Sequence, residues 1–103
     1  MKNKDSSIKN DYRQNMSRWT IIFKALANIN RLKIIRILSN GQKINVGDIA
    51  LELKISLTAT SNHLIMLQKL GVLEAEGRAG HVFYYLNPEA PRDFSAALKL
   101  FLH

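Results

Sequence analysis

The chain contains no cysteine in its 103 residues. That excludes disulfides, thiolate metal sites, thiol redox sensing and a cysteine nucleophile. Proline is scarce, with two residues, Pro88 and Pro91, both late in the chain. No apolar run approaches the roughly 20 residues a membrane helix needs. The opening Met1-Lys2-Asn3-Lys4-Asp5 is not followed by the apolar stretch of a signal peptide. A cytoplasmic protein without a membrane partner is the expectation. Acidic residues are also few: 8 Asp plus Glu stand against 15 Lys plus Arg, leaving a net charge of +7. Such an excess points to a polyanionic partner, nucleic acid before membrane. Apolar residues make up 47% of the chain. That is enough for one domain of about 100 residues and too much for disorder over most of its length. Part of that apolar surface stays uncovered in a small monomer, and a second copy is the common remedy.

Residues 1–10 are polar, with Ile8 their single large apolar side chain after Met1, and read as a flexible basic tail ahead of a folded domain over 11–103. Tyr12, Met16, Trp19, Phe23 and Leu26 then follow at steps of 4, 3, 4 and 3, which sets all five on one helical stripe. Packing against a partner helix and packing against the chain's own core both fit that stripe. Asn28-Ile29-Asn30 interrupts it and supplies a helix cap. A second helix runs from about Asn30 to Leu38, apolar nearly all round, and Ser39-Asn40-Gly41 stops it. Ile44 and Val46 suit a short strand, and Gly47-Asp48 opens a third helix. After the tight connection Lys54-Ile55-Ser56, Ser56 caps a fourth helix from Leu57 to Leu70, which Gly71 ends. Val72 to Glu76 and His81 to Leu86 form a hairpin around Gly77-Arg78-Ala79-Gly80, whose two glycines suit positive φ. A last helix runs from about Pro91 to Leu102, with Phe94, Leu98, Phe101 and Leu102 on one face. The fold class is mainly α with a small β-hairpin. Two helices on a three-residue connection, followed by a hairpin, make a winged helix-turn-helix.

Local strings within this order resemble the ArsR/SmtB family of bacterial transcriptional repressors. Phe23-Lys24-Ala25-Leu26-Ala27-Asn28 followed by Arg31-Leu32-Lys33-Ile34-Ile35 is similar to the family's "LADPTRLRIL". Val46-Gly47-Asp48-Ile49-Ala50 comes next, and Ile55 to Leu64 is similar to "LSQSTVSHHL". Leu70-Gly71-Val72-Leu73 and Val82-Phe83-Tyr84-Tyr85-Leu86 match the helix end and the second wing strand. Residues 20 to 87 carry the likeness, through order and spacing more than through any one string. It implies a homodimer built from the first and last helices, repressing a nearby operon.

On the fourth helix, Thr60, His63, Leu64, Leu67 and Leu70 share one face, the core face. Leu57, Thr58, Ser61, Asn62, Ile65 and Gln68 share the other. The small uncharged side chains of its first half suit base edges in a major groove about 12 Å wide, and Asn62 suits bidentate pairing with adenine. The first turn, with Ser56, also offers backbone N–H groups to a phosphate. The candidate DNA contacts are Ser56, Leu57, Thr58, Ser61, Asn62, His63 and Gln68, with Arg78 and His81 on the wing. For His63 a packed, hydrogen-bonded role competes with base reading. For the helix as a whole the bland alternative is a solvated face with a good cap.

The chain departs from the family's habit at Leu57, Ile65 and Gln68, where Gln, Lys and Arg are common, and at Glu74 and Glu76 in the wing, where basic residues are usual. Fewer phosphate-neutralising cations imply weaker salt-sensitive binding. The charge divides unevenly: residues 1–43 hold 10 basic and 2 acidic side chains, residues 44–103 hold 5 and 6. The excess therefore does not locate the reader, although Arg31, Lys33 and Arg36 are candidates for flanking phosphates.

Met16, Trp19 and Phe23 on the first helix, with Phe94, Leu98 and Phe101 on the last, are the candidate dimer seam. The resemblance also implies two metal sites. Its Cys-x-Cys positions fall on Asn45 and Gly47, and its Asp-x-His pair falls on Asp93 and Ser95, with His103 downstream. Neither donor set holds a transition metal, so no cofactor is expected and any effector is unknown. Catalysis lacks a nucleophile–base pairing or a phosphate-binding glycine loop, and one of Tyr84 and Tyr85 should simply face the core. The expected function is a homodimeric, sequence-specific regulator of double-stranded DNA. A protein-binding winged helix and a non-specific nucleic-acid coating protein are the alternatives.

Overall fold

A computed structural model describes residues 15–102. The proposed tail, Tyr12 and His103 lie outside the described residues. Helix α1 covers 15–26. It is followed by α2 (Ile29–Leu38), β1 (Ile44–Asn45), α3 (Val46–Leu53), α4 (Leu57–Lys69), β2 (Leu73–Arg78), β3 (His81–Leu86) and α5 (Arg92–Phe101). This is the expected winged helix-turn-helix order, with its hairpin widened by β1 into a three-stranded antiparallel sheet of order β1-β3-β2.

Side-chain caps set the helix starts. Asn28 Oδ1 accepts from the backbone N–H of Asn30 at 3.0 Å and of Arg31 at 3.2 Å, so α2 begins at Ile29, one residue before the sequence suggested. Asn45 Oδ1 accepts from Asp48 N–H at 2.8 Å, which draws Val46 into α3 and out of the strand. Ser56 Oγ accepts from Ala59 N–H at 3.0 Å, as expected of the α4 cap.

Both ends of the helix-turn-helix pair close in the same way. After α4, Val72 N–H donates to Leu67 O and Gly71 N–H to Gln68 O, each at 3.0 Å, with Gly71 at φ +81°. After α3, Ile55 N–H donates to Ala50 O at 3.4 Å and Lys54 N–H to Leu51 O at 3.3 Å, with Lys54 at φ +58°. These are Schellman closures, which need a left-handed residue. Gly71 takes that conformation without strain, whereas Lys54 bears a Cβ cost on the order of 1 kcal/mol.

In the hairpin, Leu73 pairs with Leu86 and Ala75 with Tyr84 on the inner face, while Glu74–Tyr85, Glu76–Phe83 and Arg78–His81 pair on the outer face. Tyr84 is the buried tyrosine. The turn is Ala79–Gly80, with φ +52° and +81°. That is the two-residue geometry that matches strand twist. Gly77 therefore lies within β2, and Ala79 takes the positive φ the sequence had assigned to a glycine, because the register places the turn two residues later.

The core joins Ile22 and Ala25 of α1, Ile34, Ile35 and Leu38 of α2, Ile49 and Leu53 of α3, Leu64 and Leu67 of α4, Val72, Leu73, Tyr84, and Phe94 and Leu98 of α5. Full burial of each large side chain is worth about 1.5–3 kcal/mol. The last two correct the expected dimer seam: Phe94 is 0% and Leu98 8% exposed within one chain. The stripe they form faces the chain's own core. Asp93 is likewise engaged: Arg18 donates to its Oδ2 at 2.7 Å and Oδ1 at 3.3 Å, joining α1 to α5. The Arg18 hydrogen bond holds the Asp93 carboxyl below its ordinary value.

The turns yield opposite expectations in urea unfolding. At Gly71 an added Cβ meets Pro91 Cδ at 3.2 Å on top of the positive φ, so Gly71→Ala should cost about 1–2 kcal/mol. Ala79→Asn places an αL-tolerant residue before Gly80 and should add about 0.5–1 kcal/mol. Equal effects at the two positions would contradict the turn assignment.

Candidate nucleic-acid interface

Helix α4 is held on its inner face and open on its outer one. Thr60, Leu64 and Leu67 are fully buried, and Thr60 Oγ1 donates back to Ser56 O at 2.8 Å. Leu57, Thr58, Asn62, Ile65 and Gln68 are exposed and Ser61 is half-buried. Ser56 uses a lone pair on the helix, which leaves its hydroxyl hydrogen to donate. The first turn carries no acidic side chain, so the partial positive charge of the helix start is unopposed by its own residues.

His63 is half-buried. Its Nδ1 lies 3.4 Å from Arg31 Nη1. Arg31 also donates through Nε to Ala25 O at 2.6 Å and through Nη2 to Lys24 O at 3.1 Å. One guanidinium thus satisfies carbonyls at the end of α1 and touches the middle of α4. Burial first, and the Arg31 charge second, push the imidazole below its ordinary value. His63 thus turns Nδ1 toward Arg31 while staying half-buried, an arrangement in keeping with the packed alternative of its two readings.

The wing's outer face carries mixed charge. Glu76 accepts from Lys43 Nζ at 3.3 Å and from Arg78 Nη2 at 2.9 Å. Lys43 also sits 4.7 Å from the Tyr85 ring centre. Arg78 is exposed beside the turn, His81 is exposed with its ring edge-on to Phe83, and Glu74 is exposed. Two cations and two carboxylates thus nearly cancel. Of the three basic candidates on α2, Lys33 is exposed, but Arg31 is occupied as described, and Arg36 donates to Phe101 O at 3.3 Å while stacking 4.9 Å over the Phe101 ring. Arg31 is thus committed to the carbonyls at the end of α1, whereas Arg36, exposed, spends one donor on Phe101 O.

Helix α1 divides its apolar residues between two faces. Ile22 and Ala25 enter the core and Leu26 packs at its edge. Met16, Trp19 and Phe23 are 53%, 36% and 61% exposed, with the Trp19 and Phe23 rings stacked at 5.5 Å. Trp19 and Phe23 border a cleft with Ala96, Ala97 and Leu100 of α5, and Leu100 is 83% exposed. The outward apolar positions on α5 are therefore Ala96 and Leu100. Phe101 is half-buried beneath Arg36. A pattern of Leu100 four residues after Ala96 could have revealed this second face, but the larger phenylalanines masked it.

Against known proteins, residues 28–75 match the model of the bacterial regulatory protein arsR family. The transcriptional activator HlyU of Vibrio cholerae is 32% identical over 74 residues, which is 72% of this chain and 68% of that protein. The chain belongs to the ArsR family. The solved HlyU structure superposes with TM-score 0.69 at 30% identity, covering 84% of this chain and 89% of that one. The homodimeric winged helix-turn-helix DNA-binding domain of a possible ArsR-family regulator from Mycobacterium bovis superposes with TM-score 0.69 at 27% identity, covering 85% and 78%. A cadmium resistance transcriptional regulatory protein of Listeria innocua is 39% identical over 64 residues. That match takes in 62% of this chain and only 54% of the relative, so the chain spans about half the length of that protein.

The ArsR-family match covers the region from the α2 cap to the start of the wing. Within it the metal positions implied by resemblance do not fit a transition metal. Asn45 spends its side chain capping α3, and outside it both Asp93 oxygens are taken by Arg18. Among the described residues no three His, Cys, Asp or Glu side chains come together as a donor set, whereas a structural or catalytic site needs three or four protein ligands.

The His63 shift has a definite sign. Its folded-state value lies below the ordinary 6.5, so the unfolded chain binds more protons in the window just below that value. The stabilising contribution is complete above about pH 6.5 and is lost as pH falls through the folded-state value. Urea midpoints should drop from pH 7 to pH 5, and His63→Gln should flatten that limb. A His63→Gln profile parallel to that of the parent would place the titration elsewhere.

Proposed function

We propose that the protein is a homodimeric, sequence-specific DNA-binding repressor that sets α4 in the major groove and uses the β2–β3 hairpin as a wing. The supporting observation is the outer face of α4: Leu57, Thr58 and Asn62 are exposed and Ser61 half-exposed, on a helix whose inner face is locked by Thr60, Leu64 and Leu67. Short uncharged donors and acceptors on a rigid helix suit base edges. Ser56 and the free N–H groups of the first turn suit a flanking phosphate, with Gln68, Arg78 and His81 as outer contacts.

The dimer reading draws on Met16, Trp19, Phe23 and Leu100, an exposed aromatic-rich patch shared by α1 and α5, and on the homodimeric Mycobacterium bovis domain. Aromatic anchors of this kind dominate interface energetics. Two-fold symmetry sets the recognition helices about 34–36 Å apart and calls for an inverted-repeat site. Repression follows if occupying such a site blocks transcription.

Footprinting on the protein's own promoter region should reveal one protected, near-palindromic segment. Asn62→Ala should weaken it by about 1–3 kcal/mol and relax selectivity at one base pair per half-site. Glu76→Gln releases Arg78 and Lys43 from their shared carboxylate. It should therefore raise affinity on all sequences and steepen the salt dependence by about one phosphate equivalent per protomer. Absence of a protected segment, or an unchanged footprint in Asn62→Ala, overturns the DNA reading. A reporter that falls silent when the protein is deleted would make it an activator, as Vibrio cholerae HlyU is named.

A further inference from the structure

A second concave feature lies between α1 and α4, on a different side of α1 from the Trp19–Phe23 patch. It is a groove of about 570 Å³ walled by Ile21, Ala25, Ile65, Met66 and Leu70 and bordered by Lys24, Lys69 and Asn62. Ile21, Ile65 and Met66 are 45%, 42% and 41% exposed, so three large apolar side chains turn toward water there. The volume falls within the range of small-molecule sites, about 300–1,000 Å³, and an apolar wall with a few polar groups is their usual make-up. Among the described residues its charged lining is of one sign, two lysines and no carboxylate.

We propose that this groove binds an amphiphilic organic anion, a carboxylate on an apolar tail. The tail covers Ile21, Ile65 and Met66, gaining roughly 0.8 kcal/mol for each methylene buried. The carboxylate takes charge-assisted hydrogen bonds from Lys24 or Lys69. A cationic amphiphile with the same tail meets two like charges, and a plain hydrocarbon leaves the lysines unused. Charge complementarity thus selects the anion, and the groove's size selects one small molecule over a protein helix.

The site also couples two functions, and this step rests on the DNA reading above. Asn62 borders the groove and stands on the proposed base-reading face. A ligand that engages or displaces Asn62, or shifts α4 relative to α1, binds the DNA-free form better, and by linkage releases DNA. The effector position is then the recognition helix itself.

The test is a residue-resolved NMR titration of the DNA-free protein with decanoate, and separately with decyltrimethylammonium, both below micelle formation. Saturable shifts on Ile21, Ile65 and Met66 with decanoate, and at least tenfold weaker binding of the cation, are expected. Lys24→Glu with Lys69→Glu, both exposed side chains in the last turns of α1 and α4, should invert that preference, with a urea midpoint lowered only slightly because each glutamate faces the negative end of its helix. Shifts confined to Trp19, Phe23 and Leu100, equal affinity for both amphiphiles, or an unaltered preference in the double variant overturns the site. In a parallel footprint, decanoate should erase protection for the parent and not for the double variant. Saturable decanoate binding without any protected DNA supports the groove while removing the DNA reading beneath it.

Discussion

One guanidinium joins the three helices on which the rest of this molecule is arranged. Arg31 leaves the first turn of α2, closes the last carbonyls of α1 at Ala25 and Lys24, and rests against His63 in the middle of α4. Charge-assisted bonds to helix-end carbonyls are stronger than neutral ones, and the negative end of α1 favours the cation. The helix that bears the exposed Trp19–Phe23 patch and the helix that bears Thr58 and Asn62 are thereby set in one relation. His63 stays neutral because a second positive charge beside Arg31 in a partly dry setting is unfavourable. The first turn of α2 is itself fixed by Asn28, whose side chain accepts from the Arg31 backbone, so a short stretch of chain organises three helices.

Around that joint several charges of the described residues are occupied within the chain, while Lys24, Lys33 and Lys69 stay exposed. Arg18 holds Asp93, Arg36 covers Phe101, and Glu76 lies between Lys43 and Arg78. A basic composition therefore overstates the cationic surface on offer. In the proposed DNA reading the uncharged half of α4 carries recognition, with selectivity from hydrogen-bond geometry and fit more than from counterion release. The apolar surfaces left over are equally specific in place: one on α1 and α5, and one between α1 and α4 flanked by lysines.

Much of this was legible in the sequence where a local rule decides. Ser56 reads as a cap, Gly71 as a helix stop and the Val72–Leu86 stretch as a hairpin, because each depends on a few adjacent residues. The two faces of α4 follow from helical period alone. The rest required tertiary contacts. A stripe at heptad spacing does not tell which apolar face of α1 meets its own core, so Met16, Trp19 and Phe23 were separable from Ile22 and Ala25 only in three dimensions. On α5 the larger residues drew the seam to Phe94 and Leu98, and the core claimed both, leaving Ala96 and Leu100 outward. The left-handed Lys54 and Ala79 contradict residue preference because hairpin register and the closure of α3 outweigh a cost of about 1 kcal/mol. The carbonyls that Arg31 serves are invisible in one dimension, so its contacts within the chain emerge only from the fold.

Arg31 sets α1 against α4, and in the proposed two-fold dimer it thereby fixes the distance between the two copies of α4. The absence of native cysteine makes α4 open to a single spin label, introduced by Gln68→Cys, and pulsed dipolar spectroscopy then reads the label-to-label distance. One narrow distance on the order of one DNA turn, roughly 34–36 Å between helices before the label's own reach, is expected, broadened by Arg31→Ala. No intermolecular distance, or a distribution indifferent to Arg31, would contradict it.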